Sequence, residues 1–279
     1  MKTISINGLF AIAFLLLISG CSLQTHKEGN LSFKSIEKTD SIYLLNDKTA
    51  PYAELKINIE YPIKGDKELK EWVTSQISQH VLGEKYANIA PETAIEQYAQ
   101  RYDEEYINNV EELYKEELEV VEDAEQVGVW YYYTHSNSGE VTYYNKSVLT
   151  YEANVHEFTG GAHGNYAINY LNLDLVNKTK IELHQLFSDG YELDLTDIIK
   201  NQIKIDNKAE DLNDAGFWED NIIPTENFKL DDKAITFLYN TYEIAPYSMG
   251  DQAVTVSYEK IKDWLNLDNP IVKELLNIE

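Results

Sequence analysis

The stretch LKINIEYPIKGDKELKEWVTSQISQHVLG, residues 55–83, indicates the fold class because a strand pattern passes directly into a helix pattern. Apolar and polar residues alternate over 55–61, which is typical of a strand with one buried face. Gly65 interrupts that pattern. Over 67–82 the apolar residues recur every three or four positions, which predicts an amphipathic helix that ends at Gly83.

The rest of the chain mixes further strands and helices. A longer helix is predicted from Pro91, which suits a first helical position. The run VGVWYYYT at 127–134 predicts a strand, and Ser136-Asn137-Ser138-Gly139 predicts a hairpin turn after it. Further strands are predicted at 141–144, 147–158, 166–176, 234–239 and 253–258, and a helix at 193–204. Without a regular βαβ rhythm, the prediction is an α+β fold with mixed, mainly antiparallel sheets and packed helices in two modules.

The chain is strongly acidic, with 48 Asp and Glu against 23 Lys and Arg and a formal net charge of −25. Such a chain repels nucleic acid, so a nucleic-acid partner is not expected. Neutral and cationic partners fit the charge better. The 21 tyrosines are amphipathic and suit both half-buried strands and recognition surfaces.

Cys21, the only cysteine, follows a short apolar segment at 9–18 that is too short to span a bilayer. With Ser19 and Gly20 before the thiol, the segment resembles a bacterial lipobox. The prediction is a signal peptide at 1–20 and a lipid on Cys21, which places the protein outside the cytoplasm, anchored to a membrane of the cell envelope, and leaves open which membrane and which face. A polar tether is expected at 21–40.

Two segments carry the remaining candidate residues. FTGGAHG at 158–164 lies between two predicted strands, and its three glycines suit a bend with positive φ. YEIAPYSMG at 242–250 predicts a structured loop between two later strands. The candidate binding residues of the two segments are Thr159, Gly160, Gly161, His163, Gly164, Tyr242, Pro246, Tyr247 and Gly250.

His163 is the residue of these segments that suits acid–base or metal chemistry. No second His, Asp or Glu stands beside it at a ligand spacing, and His156-Glu157 lacks the second histidine of an HExxH motif. We predict a structural histidine that bridges backbone groups, with no catalytic residue, metal or cofactor. A hydrolase would need His163 in an open pocket within about 3 Å of a proton-exchange partner. A binding module would need it buried and hydrogen-bonded.

The two segments are similar to a Tyr/Phe-Thr-Gly-Gly-Ala-His signature and a Tyr-x-Ile-Ala-Pro-Tyr-x-x-Gly signature. KTKIELHQLF at 178–187 is similar to a family's connection into its C-terminal module. Together they resemble the extracytoplasmic region of the anti-sigma factor and lysozyme receptor RsiV. They also resemble the non-catalytic N-terminal part of the peptidoglycan deacetylase PdaC. The resemblance covers 41–265 and implies two modules, at 41–165 and 166–279. The sequence shows no sigma-binding segment and no deacetylase domain, so neither activity is carried over.

The leading hypothesis is a non-enzymatic, lipid-anchored binding protein of the cell envelope. Its expected ligand is a cationic protein such as lysozyme, as the resemblance to RsiV implies, or cell-wall glycan. One alternative is an envelope hydrolase that uses His163 with a carboxylate, and another is a scaffold subunit of an envelope complex. The expected anchors for a cationic partner are exposed tyrosines at 131–133, Tyr143 and Tyr247.

Overall fold

Residues 30–121 and 128–278 are described by the computed structural model. Cys21, the predicted signal peptide at 1–20 and the predicted tether up to residue 29 lie outside the described residues, so these assignments stay predictions. Within the described ranges, no helix combines the length and the apolar character that crossing a membrane requires.

The larger sheet has six strands in the order β1-β2-β3-β4-β5-β6. They are β1 (Ser32–Tyr43), β2 (Tyr52–Lys64), β3 (Tyr133–Tyr144), β4 (Val148–Thr159), β5 (Asn165–Asp174) and β6 (Thr179–Lys180). Strands β2 and β3 pair in parallel, and the other neighbours are antiparallel. The sheet is therefore mixed and mainly antiparallel, as predicted.

Two helices, α1 (Lys67–Leu82) and α2 (Pro91–Leu118), make the crossover that the parallel pair requires. Helix α1 begins where the Asp66 side chain accepts a hydrogen bond from the Leu69 N–H at 2.9 Å. It ends at Gly83, whose φ of 108° suits glycine. Both helices cover one face of the sheet and form the first core with the alternating side chains of β2. This core includes Leu55, Ile57, Ile59, Tyr61, Val73, Ile77, Ala94, Ile95 and Tyr98.

The smaller sheet is antiparallel and has three strands, β7 (Phe228–Leu230), β8 (Ala234–Tyr239) and β9 (Gln252–Ser257). The helices of this half are α3 (Leu183–Leu186), α4 (Glu192–Asn207), α5 (Tyr258–Ile261) and α6 (Pro270–Leu276). Their apolar faces and the smaller sheet share a second core. Helices and antiparallel strands thus form an α+β fold.

The two sheets meet through strands β4 and β5, which are buried on both faces at 148–151 and 171–174. Thr150 Oγ1 lies 2.9 Å from Asn172 Oδ1 and 3.0 Å from the Leu230 carbonyl oxygen, and Asn172 Nδ2 donates to the Phe228 carbonyl at 2.7 Å. These buried bonds join the larger sheet to β7. Strand β5 pairs with β4 over its whole length, so the larger sheet continues past the predicted module boundary at 165. The division into modules stays a prediction.

The predicted tether is wrong for residues 32–40, because they form most of β1. This strand pairs with β2 from Ser32 to Tyr43. Its side chains are exposed or only half-buried, since β1 is the edge of the sheet. The sequence of an edge strand is therefore polar, and it resembles a linker.

The predicted hairpin turn at 136–139 is also wrong, because these residues lie in the middle of β3. A Cβ at Gly139 would overlap the side chain of Tyr151, which crosses from the neighbouring strand β4. Glycine is therefore placed here for close packing between strands, and not for a turn.

Candidate functional site

The first glycine segment forms the bend between β4 and β5. Thr159 is the last residue of β4, and Gly160 follows with a φ of 79°. This confirms the expected positive φ. A Cβ at Gly160 would also overlap the main chain of Trp130, which belongs to a 3₁₀ turn at Val129–Tyr131. The bend therefore packs directly on that turn.

The other two glycines of the segment differ in their surroundings. A Cβ at Gly164 would lie 2.9 Å from His156 Nε2 and 3.0 Å from the Glu157 carbonyl oxygen, which is too close for a larger residue. A Cβ at Gly161 would have no neighbour nearer than 3.8 Å, and its φ is negative or extended. Gly160 is thus required by packing, Gly164 is tightly packed against a side chain and a carbonyl oxygen, and Gly161 is not constrained by its neighbours.

The second segment forms the loop between β8 and β9. Tyr242 has a φ of 71°, which is uncommon for a residue with a side chain. Pro246 precedes a 3₁₀ turn at Tyr247–Met249, and Gly250 ends it with a φ of 66°. A Cβ at Gly250 would lie 3.3 Å from the Tyr166 hydroxyl. The loop is therefore a structured corner, as predicted.

The fold brings the two segments together. The Tyr247 hydroxyl donates to the Gly164 carbonyl oxygen at 3.2 Å, and the His163 ring stacks on the Tyr247 ring with centroids 4.2 Å apart. The Tyr242 ring lies 5.6 Å from the Tyr247 ring and is 54% exposed. We call His163, Tyr242 and Tyr247 the aromatic cluster.

His163 is hydrogen-bonded, as a binding module would need, but it is exposed and not buried. The side chain is exposed because the bend carries it to the surface, onto the Tyr247 ring. His163 Nδ1 lies 3.0 Å from the Gly164 carbonyl oxygen, and a carbonyl only accepts, so Nδ1 carries the proton. In the neutral ring Nε2 then presents its lone pair. Among the ion pairs of the described residues, His163 has no carboxylate partner.

A second histidine, which is not among the residues predicted from the sequence, lies in polar surroundings under α2. His135 Nε2 is 2.8 Å from the Tyr98 hydroxyl, and Asn137 Nδ2 donates to the same hydroxyl at 2.9 Å. Burial lowers the pKa of His135. Its Nδ1 is 3.8 Å from Glu157 Oε1, beyond hydrogen-bond length. The alternation of β3 places His135 and Asn137 on one face and could have indicated this pair. The turn predicted at 136–139 interrupts that alternation, so the pair was missed.

The expected anchors also differ in exposure. Tyr131 is buried, Tyr132 is exposed, and Tyr133, Tyr143 and Tyr247 are half-buried. The exposed Trp130 was not singled out, since a tryptophan in a strand pattern suits a core equally well. Within 30–121 and 128–278, no group of three His, Cys, Asp or Glu side chains is arranged to hold a metal ion.

Comparison with known proteins relates the chain to a family of unknown function. The model of that family, described as "Protein of unknown function (DUF3298)", matches residues 184–259. Among curated proteins, none matches the chain. A DUF3298 protein from Pseudomonas aeruginosa has a crystal structure that is 14% identical, covers 86% of this chain and 97% of its own, and has a TM-score of 0.61, which shows a shared fold alone.

A crystal structure of a DUF3298 member from Bacteroides fragilis is much more similar in sequence. It is 36% identical to this chain, with 89% of this chain and 98% of that chain covered and a TM-score of 0.84. Identity at this level over nearly the whole length of both chains shows common descent as well as a common fold. The chain therefore belongs to the DUF3298 family.

Proposed function

We propose that this protein is a non-catalytic binding protein of the cell envelope, anchored by a lipid on Cys21, with the aromatic cluster as its recognition surface. The observation that carries the proposal is the meeting of two segments far apart in the sequence. They build a cluster of rings at the surface, where His163 bonds to a backbone carbonyl. Aromatic rings with polar tips are typical of recognition surfaces.

A cationic protein such as a lysozyme is the proposed ligand. The net charge of −25 supports it, because a negative field speeds the encounter with a basic partner. The resemblance to RsiV in the two segments points to the same class of ligand. An exposed tyrosine face also attracts a Lys or Arg side chain.

Cell-wall glycan is the second candidate ligand. The stacked rings of His163 and Tyr247, tilted by 29° to each other, offer an apolar face of the size of a sugar ring. Among the described residues, this stack has hydrogen-bonding tips beside it, on His163 Nε2 and the Tyr247 hydroxyl. The affinity for glycan would depend little on salt, whereas the affinity for a cationic protein would fall as salt rises.

The geometry of His163 favours binding over the hydrolase alternative. General acid–base catalysis needs a proton-exchange partner within hydrogen-bond reach. The nearest polar partner of His163 Nδ1 is a main-chain carbonyl, which does not exchange protons.

The ligand class is tested with the immobilised full-length protein exposed to envelope fractions, purified peptidoglycan and a basic lysozyme. We expect lysozyme to bind at low salt and to dissociate as ionic strength rises past about 0.15 M, where the Debye length is about 8 Å. Salt-independent binding to peptidoglycan would replace lysozyme by glycan. A folded protein that binds neither would contradict both.

The anchor is tested separately by fractionation of cells that carry Cys21→Ala. Alanine has no thiol that could carry the acyl chains of the anchor. The variant is therefore expected to leave the membrane fraction or to remain uncut. A variant that is processed normally and stays in the membrane would contradict the lipid anchor.

A further inference from the structure

An acidic groove lies beside the C-terminal end of α2, apart from the aromatic cluster. It encloses about 420 Å³ between α2 and the 3₁₀ turn at Val129–Tyr131. The residues that give it its character are Leu113, Glu116, Glu117, Val120, Trp130 and Tyr131. We use the name acidic groove for these six residues.

Three of the six residues of the acidic groove are apolar and open to solvent. Leu113 is 57% exposed, Val120 is 81% exposed and Trp130 is 51% exposed. Leu113 follows the apolar spacing of α2, but the buried face of the helix passes through Val110 and Tyr114 instead. A large apolar patch that the core does not use is typical of a surface that contacts a partner.

The acidic groove also holds a carboxylate in a fixed position. Glu117 Oε2 accepts hydrogen bonds from Trp130 Nε1 at 3.2 Å and from the Tyr131 hydroxyl at 2.5 Å. Two donors on one oxygen keep the carboxylate against the tryptophan ring and leave its other oxygen for a further donor. A carboxylate beside an aromatic face is suited to a Lys or Arg side chain, which would pair with the first and lie over the second.

The negative charge of the acidic groove is not compensated by the described residues. Lys115, on the neighbouring face of α2, pairs with Glu111 at 3.0 Å and with Glu112 at 3.5 Å. No ion pair among the described residues includes Glu116 or Glu117. In sequence, positions 122–127, which lie outside the described residues, add three acids and no base.

We infer that the acidic groove docks a segment of a partner protein in which a Lys or Arg stands beside an apolar side chain. The cationic group would meet Glu116 and Glu117, and the apolar side chain would lie against Leu113, Val120 and Trp130. This inference uses none of the residues of the aromatic cluster. It therefore stands whether the cluster binds protein or glycan.

The test uses calorimetry of the full-length protein with three short peptides of equal length. One alternates lysine with leucine, one glutamate with leucine and one lysine with serine. We expect the lysine–leucine peptide to bind at least about tenfold more tightly than either of the others, because only it satisfies both the charge and the apolar wall. Its affinity should fall as salt rises.

Matched variants locate the binding. Leu113→Ser and Glu116→Gln should each weaken the lysine–leucine peptide by about fivefold or more. Leu193→Ser, at a leucine 82% exposed on α4, and Glu104→Gln, on α2 outside the groove, should leave its affinity unchanged. Should Leu113→Ser fail to fold, Glu116→Gln still decides the matter.

Three results would overturn the inference. The first is equal affinity for the three peptides, and the second is equal weakening by the groove variants and their controls. The third is a dimer in sedimentation that Leu113→Ser converts to a monomer, since a second copy would then occupy the groove. Tyr247→Ala separates the two proposals, because it removes the aromatic cluster and leaves the groove intact.

Discussion

Asp103 on α2 places a carboxylate where a charge is poorly accommodated. Its Oδ1 is buried without a hydrogen-bond partner among the described residues. Its pKa is raised to about 6, chiefly by burial and then by the nearby Asp40 and Glu96, while Lys38 opposes the shift. The acidic composition therefore has a cost at single residues, even though nearly all carboxylates of the described residues are exposed or half-buried.

We predict that Asp103→Asn increases the free energy of unfolding at pH 7. The pKa of Asp103 is higher in the folded state than the ordinary 3.8, so the folded protein holds the proton more tightly than the unfolded chain does. The destabilisation is complete above about pH 6 and disappears as pH falls toward about 4. Urea unfolding at pH 7 and at about pH 4 measures the difference in the free energy of unfolding between the variant and the wild type.

Glu104→Gln is the control, since it removes the charge of an exposed neighbour on the same helix. It should change stability little at either pH. Equal stability of Asp103→Asn and the wild type at pH 7 would show that the buried carboxylate is solvated.

At the scale of elements, the sequence predicts correctly those helices and strands whose apolar residues follow a single period throughout. Helix α1 was predicted with its observed bounds, because its apolar period is complete and Gly83 ends it. Strand β2 was found from its alternation. The hairpin at 136–139 failed because a glycine that makes room for a neighbouring strand looks the same as a turn glycine. The side chain that occupies this space is that of Tyr151 on the neighbouring strand, and the residues around Gly139 give no sign of it.

The bend at 158–164 was found from its glycines, but its contacts were not. The stacking of His163 on Tyr247 and the packing of Gly160 on Trp130 both join residues distant in sequence. Such contacts depend on the order of strands in the sheet. That order includes a parallel pair, β2 with β3, that no local pattern indicates.

We predict that Gly160→Val destabilises the fold by about 1–3 kcal/mol, because a side chain there is strained at positive φ and overlaps the main chain of Trp130. Gly161→Ala is the control in the same bend, since its Cβ would have no neighbour nearer than 3.8 Å. Chemical denaturation measures both. If the two variants are equally stable, the bend adapts and the account of Gly160 is wrong.

At the scale of the whole molecule, the smaller sheet packs through β7 on strands β4 and β5 of the larger sheet, and both proposed binding surfaces adjoin the bend between those two strands. The aromatic cluster joins the β4–β5 bend to a loop of the smaller sheet. The acidic groove joins α2 to the turn on which the same bend packs. The net charge follows from the composition alone, whereas the positions of these surfaces depend on how the strands and helices pack.

The central claim is that the aromatic cluster is the recognition surface of the protein. Calorimetry of the full-length wild type, Tyr247→Ala and Tyr52→Ala tests it most directly, with a basic lysozyme and soluble peptidoglycan fragments as ligands. Tyr52 is an exposed tyrosine outside the cluster and serves as the matched control. Thermal unfolding first establishes that all three proteins are folded.

We predict that the wild type binds one of the two ligands and that Tyr247→Ala weakens this binding at least about tenfold, because the variant removes both the stacked ring and its hydroxyl. Tyr52→Ala should bind as the wild type does. Equal affinities for the wild type and Tyr247→Ala, or no binding of either ligand by the folded wild type, would contradict the claim.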